Sequence, residues 1–442
     1  MTTTDETTSP SSSRGMSMHT RMLIGFLVGA LAGLACYALA RDAVWLDDVV
    51  TYVSQPIGEL FLRLLFMLVI PLVFSALVLG VVEIGDPRAL GRLGFKTLLW
   101  ILGVTALAVA IGLILVNLFQ PGLGVSPEVG KQLLAEAGHR ASEIAARREA
   151  ISAREMLLGI VPRNPVRAAA DGNLLGVMFF ALMFGIAAAV VRNEGTRTFV
   201  GTMQGIYDIS LKLIEWVIRI APYAVAALLF TLTARMGWDV LVQLARYVGV
   251  VLLALGIQLF VVLPLLVRTL GRMPLKRFFG GSETAMVTAF STSSSSATLP
   301  TTLRAAEKNL GVPRSVARFV CTLGATANMN GTALYEGVTV LFLAQFFGVD
   351  LSLAQQLLVL LVCVLGGVGA AGVPGGSLPV IAMILAMFGI PPEGIGLVLG
   401  IDRLLDMSRT TLNVTGDLAA SVVIARSEMR GDADAEATTA ET

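Results

Sequence analysis

Residues 401–425 read IDRLLDMSRTTLNVTGDLAASVVIA, and they follow the apolar run GIGLVLG at 394–400. Within them Asp402, Asp406, Arg409, Asn413 and Asp417 are spaced by four, three, four and four residues. At ~100° per helical residue that spacing gathers all five on one narrow face, with Thr410 at its border. The apolar neighbours place the helix in a membrane, where each charge near the bilayer centre costs at least ~2.5 to 3.5 kcal/mol. The stripe therefore faces protein, water or ligand. Arg409 can pair with Asp406 across one turn, but three carboxylates stand against one guanidinium. The remaining negative charge needs cations, which a transported solute or metal ions would bring.

Composition supports a lipid environment for much of the chain. Hydrophobic residues make up 55% and charged residues 14%, with a mean hydropathy of +0.79, against roughly 25% charged in soluble domains. Lys and Arg number 32 against 31 Asp and Glu, a net charge of +1, so no global basic field points to nucleic acid. Cys36, Cys321 and Cys363 lie in or beside apolar segments without metal or disulfide spacing, and read as small buried hydrophobes. The 2 histidines, His19 and His139, fall in polar segments, which argues against a histidine metal site or proton relay.

The first apolar run, Arg21 to Ala40, is too long for a signal-peptide core and is followed at once by further apolar runs, so it reads as a transmembrane helix. Further spans of about the ~20 residues a bilayer core requires are expected at 57–82, 97–119, 174–191, 209–234 and 243–267. Arg14, Arg21, Arg88, Arg92, Lys96, Arg192, Arg197, Arg268, Arg272, Lys276 and Arg277 all fall on one side if the N-terminus is cytoplasmic, as the positive-inside rule favours. Residues 1–18 and the acidic tail 428–442 are expected to be disordered, with both termini cytoplasmic. The segment 121–172 reads as an external loop, and its Ala, Glu and Arg content over 130–155 suggests a surface helix.

Beyond residue 270 the hydropathy pattern is interrupted. The stretch 283–302 (ETAMVTAFSTSSSSATLPTT) is too polar to face lipid, and 362–379 (VCVLGGVGAAGVPGGSLP) is apolar but rich in Gly and Pro. Unwound backbone at membrane depth must be buried in protein or line a cavity. Two such segments point to re-entrant hairpins meeting at a midplane site, here at about 278–306 and 353–390, with spanning helices at about 313–346 and 393–426. Ser293 to Ser296, before Pro300, offer hydroxyls and amide donors to an anion. In GATANMNGTALYEG (324–337), Thr326, Asn328, Asn330, Thr332 and Glu336 sit in an apolar context, with Gly331 able to break the helix. Exposed carbonyls, Asn328, Asn413 and Asp417 would make an all-oxygen cage for a hard monovalent cation such as sodium.

The ordered motifs SSSSATLP (293–300), NMNGT (328–332), AGVPGG (371–376) and D-x3-D-x2-R-T-x2-N-x3-D (402–417) resemble the glutamate transporter family of dicarboxylate/amino acid:cation symporters. The likeness extends through MLVIPLVFSALVLGV (67–81) and VPRNPVRAAADGNLLGVMFFALMFGIA (161–187), and so covers about 20–425. The resemblance implies an all-α polytopic inner-membrane protein of eight transmembrane helices and two re-entrant hairpins. It implies a homotrimer whose protomers carry a scaffold and a mobile transport (elevator) domain. Residues 19–120 and 190–270 would supply the scaffold together with early helices of the transport domain, and 275–427 the transport-domain core. The implied activity is symport of an acidic amino acid, with sodium ions as coupled cations and no other cofactor.

By the same resemblance, Arg409 would hold the side-chain carboxylate of the substrate and Asp406 its ammonium group. Thr332, Thr410, Asn413 and Ser294, Ser295 and Ser296 would hold the rest, with Gly372, Val373 and Pro374 as lid. Gly324, Asn328, Asn413 and Asp417 match one sodium site. Thr326, Met329, Gly367, Val368 and Ala370 match a second. An arginine fork suits a carboxylate, and Asp406 would be wasted on a diacid lacking an amino group, so aspartate or glutamate is favoured over succinate. A proton- or sodium-coupled carrier of C4-dicarboxylates or neutral amino acids is the alternative.

This chain departs from relatives with three cation sites. Asn330 stands where they have Asp, and Ile101, Val104 and Thr105 stand where they have a Tyr and a Thr/Ser pair, so fewer coupled sodium ions are expected. A second arginine near the substrate is also common in the family, at the positions occupied here by Ser293 and Met407. The field at Asp406 should differ accordingly. An enzyme is not expected, because the Ser run has no His partner and neither H-E-x-x-H nor G-x-S-x-G occurs.

Overall fold

A computed structural model describes residues 18–40, 43–83, 91–123, 161–170, 174–191, 193–369, 377–391 and 394–440, and among these residues the chain is helical throughout, without strands. The expectations for 1–17, for most of the 121–172 loop and for 370–376 therefore lie outside the described residues.

Helix α1 (Met18–Ala40) is followed by α2 (Val44–Val49), which passes through a π-helical turn at Val50–Ser54 into α3 (Gln55–Glu83). Next come α4 (Gly91–Phe119), the short α5 (Pro165–Ala170), α6 (Leu174–Val190) and the long α7 (Glu194–Met236). Helix α8 (Asp239–Ile257) continues through π-helical turns at Gln258–Val262 into α9 (Leu263–Thr269). Thr20–Ala40, Leu93–Phe119, Glu194–Met236 and Asp239–Thr269 are long and apolar enough to cross a membrane, and Ile70–Val82 and Gly176–Val190 are shorter apolar stretches.

Helices α1, α3, α6 and α7 pack together. On α1, Gly25 and Gly29 lie so close to the carbonyls of Pro222 and Ala226 on α7 that a side chain at either would strike backbone. Small residues are what permit helices to approach this closely in lipid. Short α5 packs on α6, and α2 on the turn that leads into α3, whereas α8 packs against α4; the later helices at Leu353–Gly369 and Leu378–Met387 join the two groups by packing on α3.

The segment after residue 270 folds back on itself twice. Helix α10 (Leu275–Thr292) and α11 (Ser295–Arg304) form the first hairpin, and α11 continues as π-helical turns over Ala305–Leu310. The turn between them holds Ser293 in the left-handed region at φ 50°, and Ser294 caps α11 by accepting from the Ala297 amide at 3.2 Å. Helices α14 (Leu353–Gly369) and α15 (Leu378–Met387) pack on each other as the arms of the second hairpin.

Between the hairpins, the single helix expected over 313–346 is two, α12 (Arg314–Ala327) and α13 (Asn330–Phe346). Short α16 (Ile395–Leu399) leads into α17 (Asp402–Ala440). The tail expected to be disordered from 428 is helical up to Ala440. Its Ala and Glu residues are good helix formers, and extending an existing helix avoids the cost of nucleation. Lys96 near the start of α4 lies 2.8 Å from Glu428, in the C-terminal half of α17, so the two helices meet there.

Candidate functional site

The interruption between α12 and α13 falls at Asn328 and Met329, with φ/ψ of −96°/63° and −94°/50°. The Asn328 amide still donates to the Gly324 carbonyl at 2.9 Å, and the Ala333 amide to the Met329 carbonyl at 2.9 Å, so each half-helix is closed by its own chain. Gly331 was the expected breaker, yet it lies in the first turn of α13. Its bare Cα serves contact instead: a Cβ there would lie 2.6 Å from the Arg409 carbonyl and 3.1 Å from Asn413 Oδ1. In return the Gly331 amide donates to Asn413 Oδ1 at 2.7 Å. Helix α13 is buried on nearly every face, so its polar groups must find partners within the protein or in a ligand.

Helix α17 turns the predicted stripe toward this break. Asp402, Asp406, Arg409, Thr410, Asn413 and Asp417 are all buried. Arg409 is held at both ends of its fork. Its Nη1 donates to Asp402 Oδ1 at 2.8 Å, and Nη2 and Nε lie 2.9 and 3.0 Å from Asp406 Oδ1. The guanidinium also stacks over the Tyr335 ring at 4.3 Å from its centroid, a cation–π contact that fixes the plane of the fork. Asp402 thus acquires a partner two turns away, whereas periodicity alone gave it a place on the face and no role. Arg403, which the stripe spacing leaves out, reaches Asp406 Oδ2 at 3.4 Å. It could have been found as the residue three before Asp406, a spacing at which helical side chains meet.

Asn413 is the link between the stripe and the break. Besides accepting from Gly331, its Nδ2 donates to Thr332 Oγ1 at 3.1 Å and to Met329 Sδ at 3.2 Å. The side chains of Thr332, Met329 and Asn413 therefore form one network. One turn further on, Asp417 Oδ1 accepts from Asn328 Nδ2 at 2.9 Å, and its carboxylate presses against the Cα of Gly324, where a Cβ would collide with it. Gly324, Asn328 and Asp417 are thus brought together, whereas the side-chain oxygen of Asn413 is engaged with the Gly331 amide. The donor set fits a hard cation: Asn328 Oδ1 is buried with no partner among the described residues, beside the buried Asp417 carboxylate, which makes no ion pair among the described residues.

For the second cation set, Gly367 approaches the Met329 carbonyl, which a Cβ there would meet at 3.5 Å. Thr326 Oγ1 donates to the Leu323 carbonyl at 3.0 Å. Val368 lies in the last turn of α14, and Ala370, Gly372, Val373 and Pro374 lie outside the described residues. The first hairpin packs against α17, with Ser295 buried, Ser294 half-buried and Ser296 exposed at its tip. Around the position of the third cation set, Ile101 and Val104 are buried apolar side chains, and both polar atoms of Asn330 and the hydroxyl of Thr105 have no partner among the described residues. Glu336, one turn beyond Thr332, is fully buried, and neither carboxyl oxygen has a hydrogen-bond partner among the described residues.

The sodium:dicarboxylate symporter family matches residues 18–427. The chain is 33% identical over 412 residues to a proton/sodium-glutamate symport protein of Bacillus subtilis (strain 168), covering 93% of this chain and 92% of that one. It is 33% identical over 417 residues, 94% of each chain, to a proton/glutamate-aspartate symporter of Escherichia coli (strain K12). A C4-dicarboxylate transport protein of Bacillus subtilis (strain 168) is 31% identical over 418 residues, again 94% of each chain. Family motifs, helical hairpins and a buried ionic stripe coincide along one chain: it is a membrane-embedded transporter, not an enzyme, and it belongs to the sodium:dicarboxylate symporter family.

Proposed function

We propose that this protein carries aspartate or glutamate across the cell membrane together with sodium, moving the hairpins and the last two helices as a unit against the earlier helices of a homotrimer. Two of its relatives are named for cation-coupled symport of glutamate or of glutamate and aspartate, and a third for transport of C4-dicarboxylates. The observation that carries the finer reading is the buried grouping of Asp402, Asp406 and Arg409. An arriving substrate carboxylate would replace an internal carboxylate on the Arg409 fork, a bidentate match. Asp406, released in the exchange, would then face the substrate ammonium. A plain diacid would find Asp406 repulsive, which favours an amino acid. Thr332, Thr410, Asn413 and the Ser294–Ser296 tip would complete the pocket.

Asp417, Asn328 and Gly324 support one sodium site, and Gly367, Met329 and Thr326 a second. Asn330, Ile101 and Val104 supply no carboxylate and few oxygens for a third, so fewer coupled sodium ions are expected than in relatives that keep those ligands. One observation favours a second reading for the coupling ion. A charge on Glu336 would stand fully buried with no hydrogen-bond partner among the described residues, which is unfavourable by several kcal/mol in order of magnitude, so this carboxyl group is suited to carry a proton.

Uptake of labelled aspartate, glutamate and succinate into proteoliposomes, under separate sodium and proton gradients, tests both readings. Sodium-driven uptake of an amino acid is expected. Faster uptake of succinate than of either amino acid would refute the substrate assignment, and three sodium ions per substrate would refute the reduced count.

A further inference from the structure

The ionic cluster at the start of α17 has a fourth member. Asp402 and Asp406 carry two negative charges against the single positive charge of Arg409, and Arg403 restores neutrality. The two oxygens of Asp406 are divided between the arginines. Oδ1 takes Arg409 at 2.9 and 3.0 Å, while Oδ2 takes Arg403 Nη1 at the longer distance of 3.4 Å. The members also differ in burial. The Arg403 side chain is 17% exposed, against 2% for Arg409, 6% for Asp406 and 8% for Asp402. Its neighbour Leu404 is half exposed, so Arg403 stands at the rim of the cluster. A long guanidinium at a rim can withdraw into water while keeping its stem packed; Arg409, clamped by two carboxylates and a ring, cannot.

From this geometry we infer that Arg403 is a tethered counter-ion that occupies Asp406 Oδ2 in the empty carrier and yields that oxygen to the ammonium group of the substrate. It is a positioning residue, and the inference rests on the proposed role of Asp406. Two effects follow. Arg403 competes with substrate, which weakens binding, and it leaves the empty site neutral, which lets the carrier return across a low-dielectric layer without a bare buried charge.

The test compares exchange with net uptake of labelled aspartate in proteoliposomes of the full chain, for wild type, Arg403→Gln and Arg403→Lys. Net uptake requires return of the empty carrier and exchange does not. Arg403→Gln is expected to lower KM in exchange by about fivefold, the scale of a single long ion pair at the rim of the cluster, and to lower the ratio of net uptake to exchange by at least as much. Arg403→Lys, which keeps the charge, is expected to restore the wild-type ratio. The absence of either change in Arg403→Gln, or a lysine variant that behaves like the glutamine one, overturns the inference. A wild type that exchanges no acidic amino acid overturns the functional reading itself, and this inference with it.

Discussion

Substituting Gly324 by Ala probes the proposed sodium site without removing any ligand atom. A Cβ built on Gly324 falls 2.6 Å from the carboxyl carbon of Asp417 and 3.2 Å from Oδ2, with Oδ1 closer still. Ordinary contacts between such atoms lie near ~3.5 Å, so the carboxylate must retreat by about an ångström. The hydrogen bond it accepts from Asn328 Nδ2, at 2.9 Å, does not survive that displacement. A hydrogen bond to a charged group is worth about 1.5 to 3 kcal/mol, and tenfold in affinity corresponds to about 1.4 kcal/mol. Sodium affinity should therefore fall by roughly ten- to a hundredfold. The readouts are the sodium concentration giving half-maximal aspartate uptake and the sodium dependence of thermal stability. Asn328→Ala, which removes the same bond without adding atoms, should move both in the same direction. Gly103→Ala, where a Cβ meets nothing within 4 Å, should leave them unchanged. A folded Gly324→Ala protein with wild-type sodium dependence would refute the assignment of Asp417 as cation ligand.

Three further outcomes are expected. Arg409→Gln should lower aspartate uptake at least a hundredfold, because it removes the fork and leaves Asp402 and Asp406 buried without it; retained aspartate uptake would sink the assigned role. Glu336→Gln keeps the shape of the side chain but holds no exchangeable charge, so uptake driven by a proton gradient alone should vanish while sodium-driven uptake persists, and unchanged proton-driven uptake in this variant would remove Glu336 from the coupling path. Ser293→Gly relieves a left-handed residue of its side chain, and should raise the melting temperature through a gain of about 0.5 to 1 kcal/mol; a lowered melting temperature would show that the buried hydroxyl matters more than the backbone.

The sequence and the structure agree where one periodicity governs. The stripe from Asp402 to Asp417 was legible because lipid allows no other use for five polar residues on one helical face. The helix of Arg21 to Ala40 was legible from hydropathy alone. The turn of the first hairpin, at Ser293 and Ser294, was legible from composition, since a run of serines at membrane depth leaves few alternatives. The break at Asn328 and Met329 was not legible, since Gly331 is the residue that local propensity offers for it; that glycine is used for contact with α17 rather than for turning. Arg403 escaped notice for a related reason. Its position off the stripe says nothing of its long side chain, which crosses to Asp406. The role of Asp402 also required coordinates, since its partner lies two turns away and only the direction of the Arg409 fork selects it.

The interruption at Asn328 and Met329 has one more consequence, electrostatic in kind. Helix α12 ends there and α13 begins, so a carbonyl end with a partial charge of about −0.5 meets an amide end of about +0.5. A cation beside Gly324 and Asn328 is favoured by the first, and an anionic group beside Thr332 by the second. Either ligand alone leaves one helix end uncompensated in a medium of low dielectric constant. The two ligands would also attract each other across the break, so filling both would be more favourable than the two separate bindings suggest, and in the proposed symport the broken helix would be the device that makes solute and ion wait for each other.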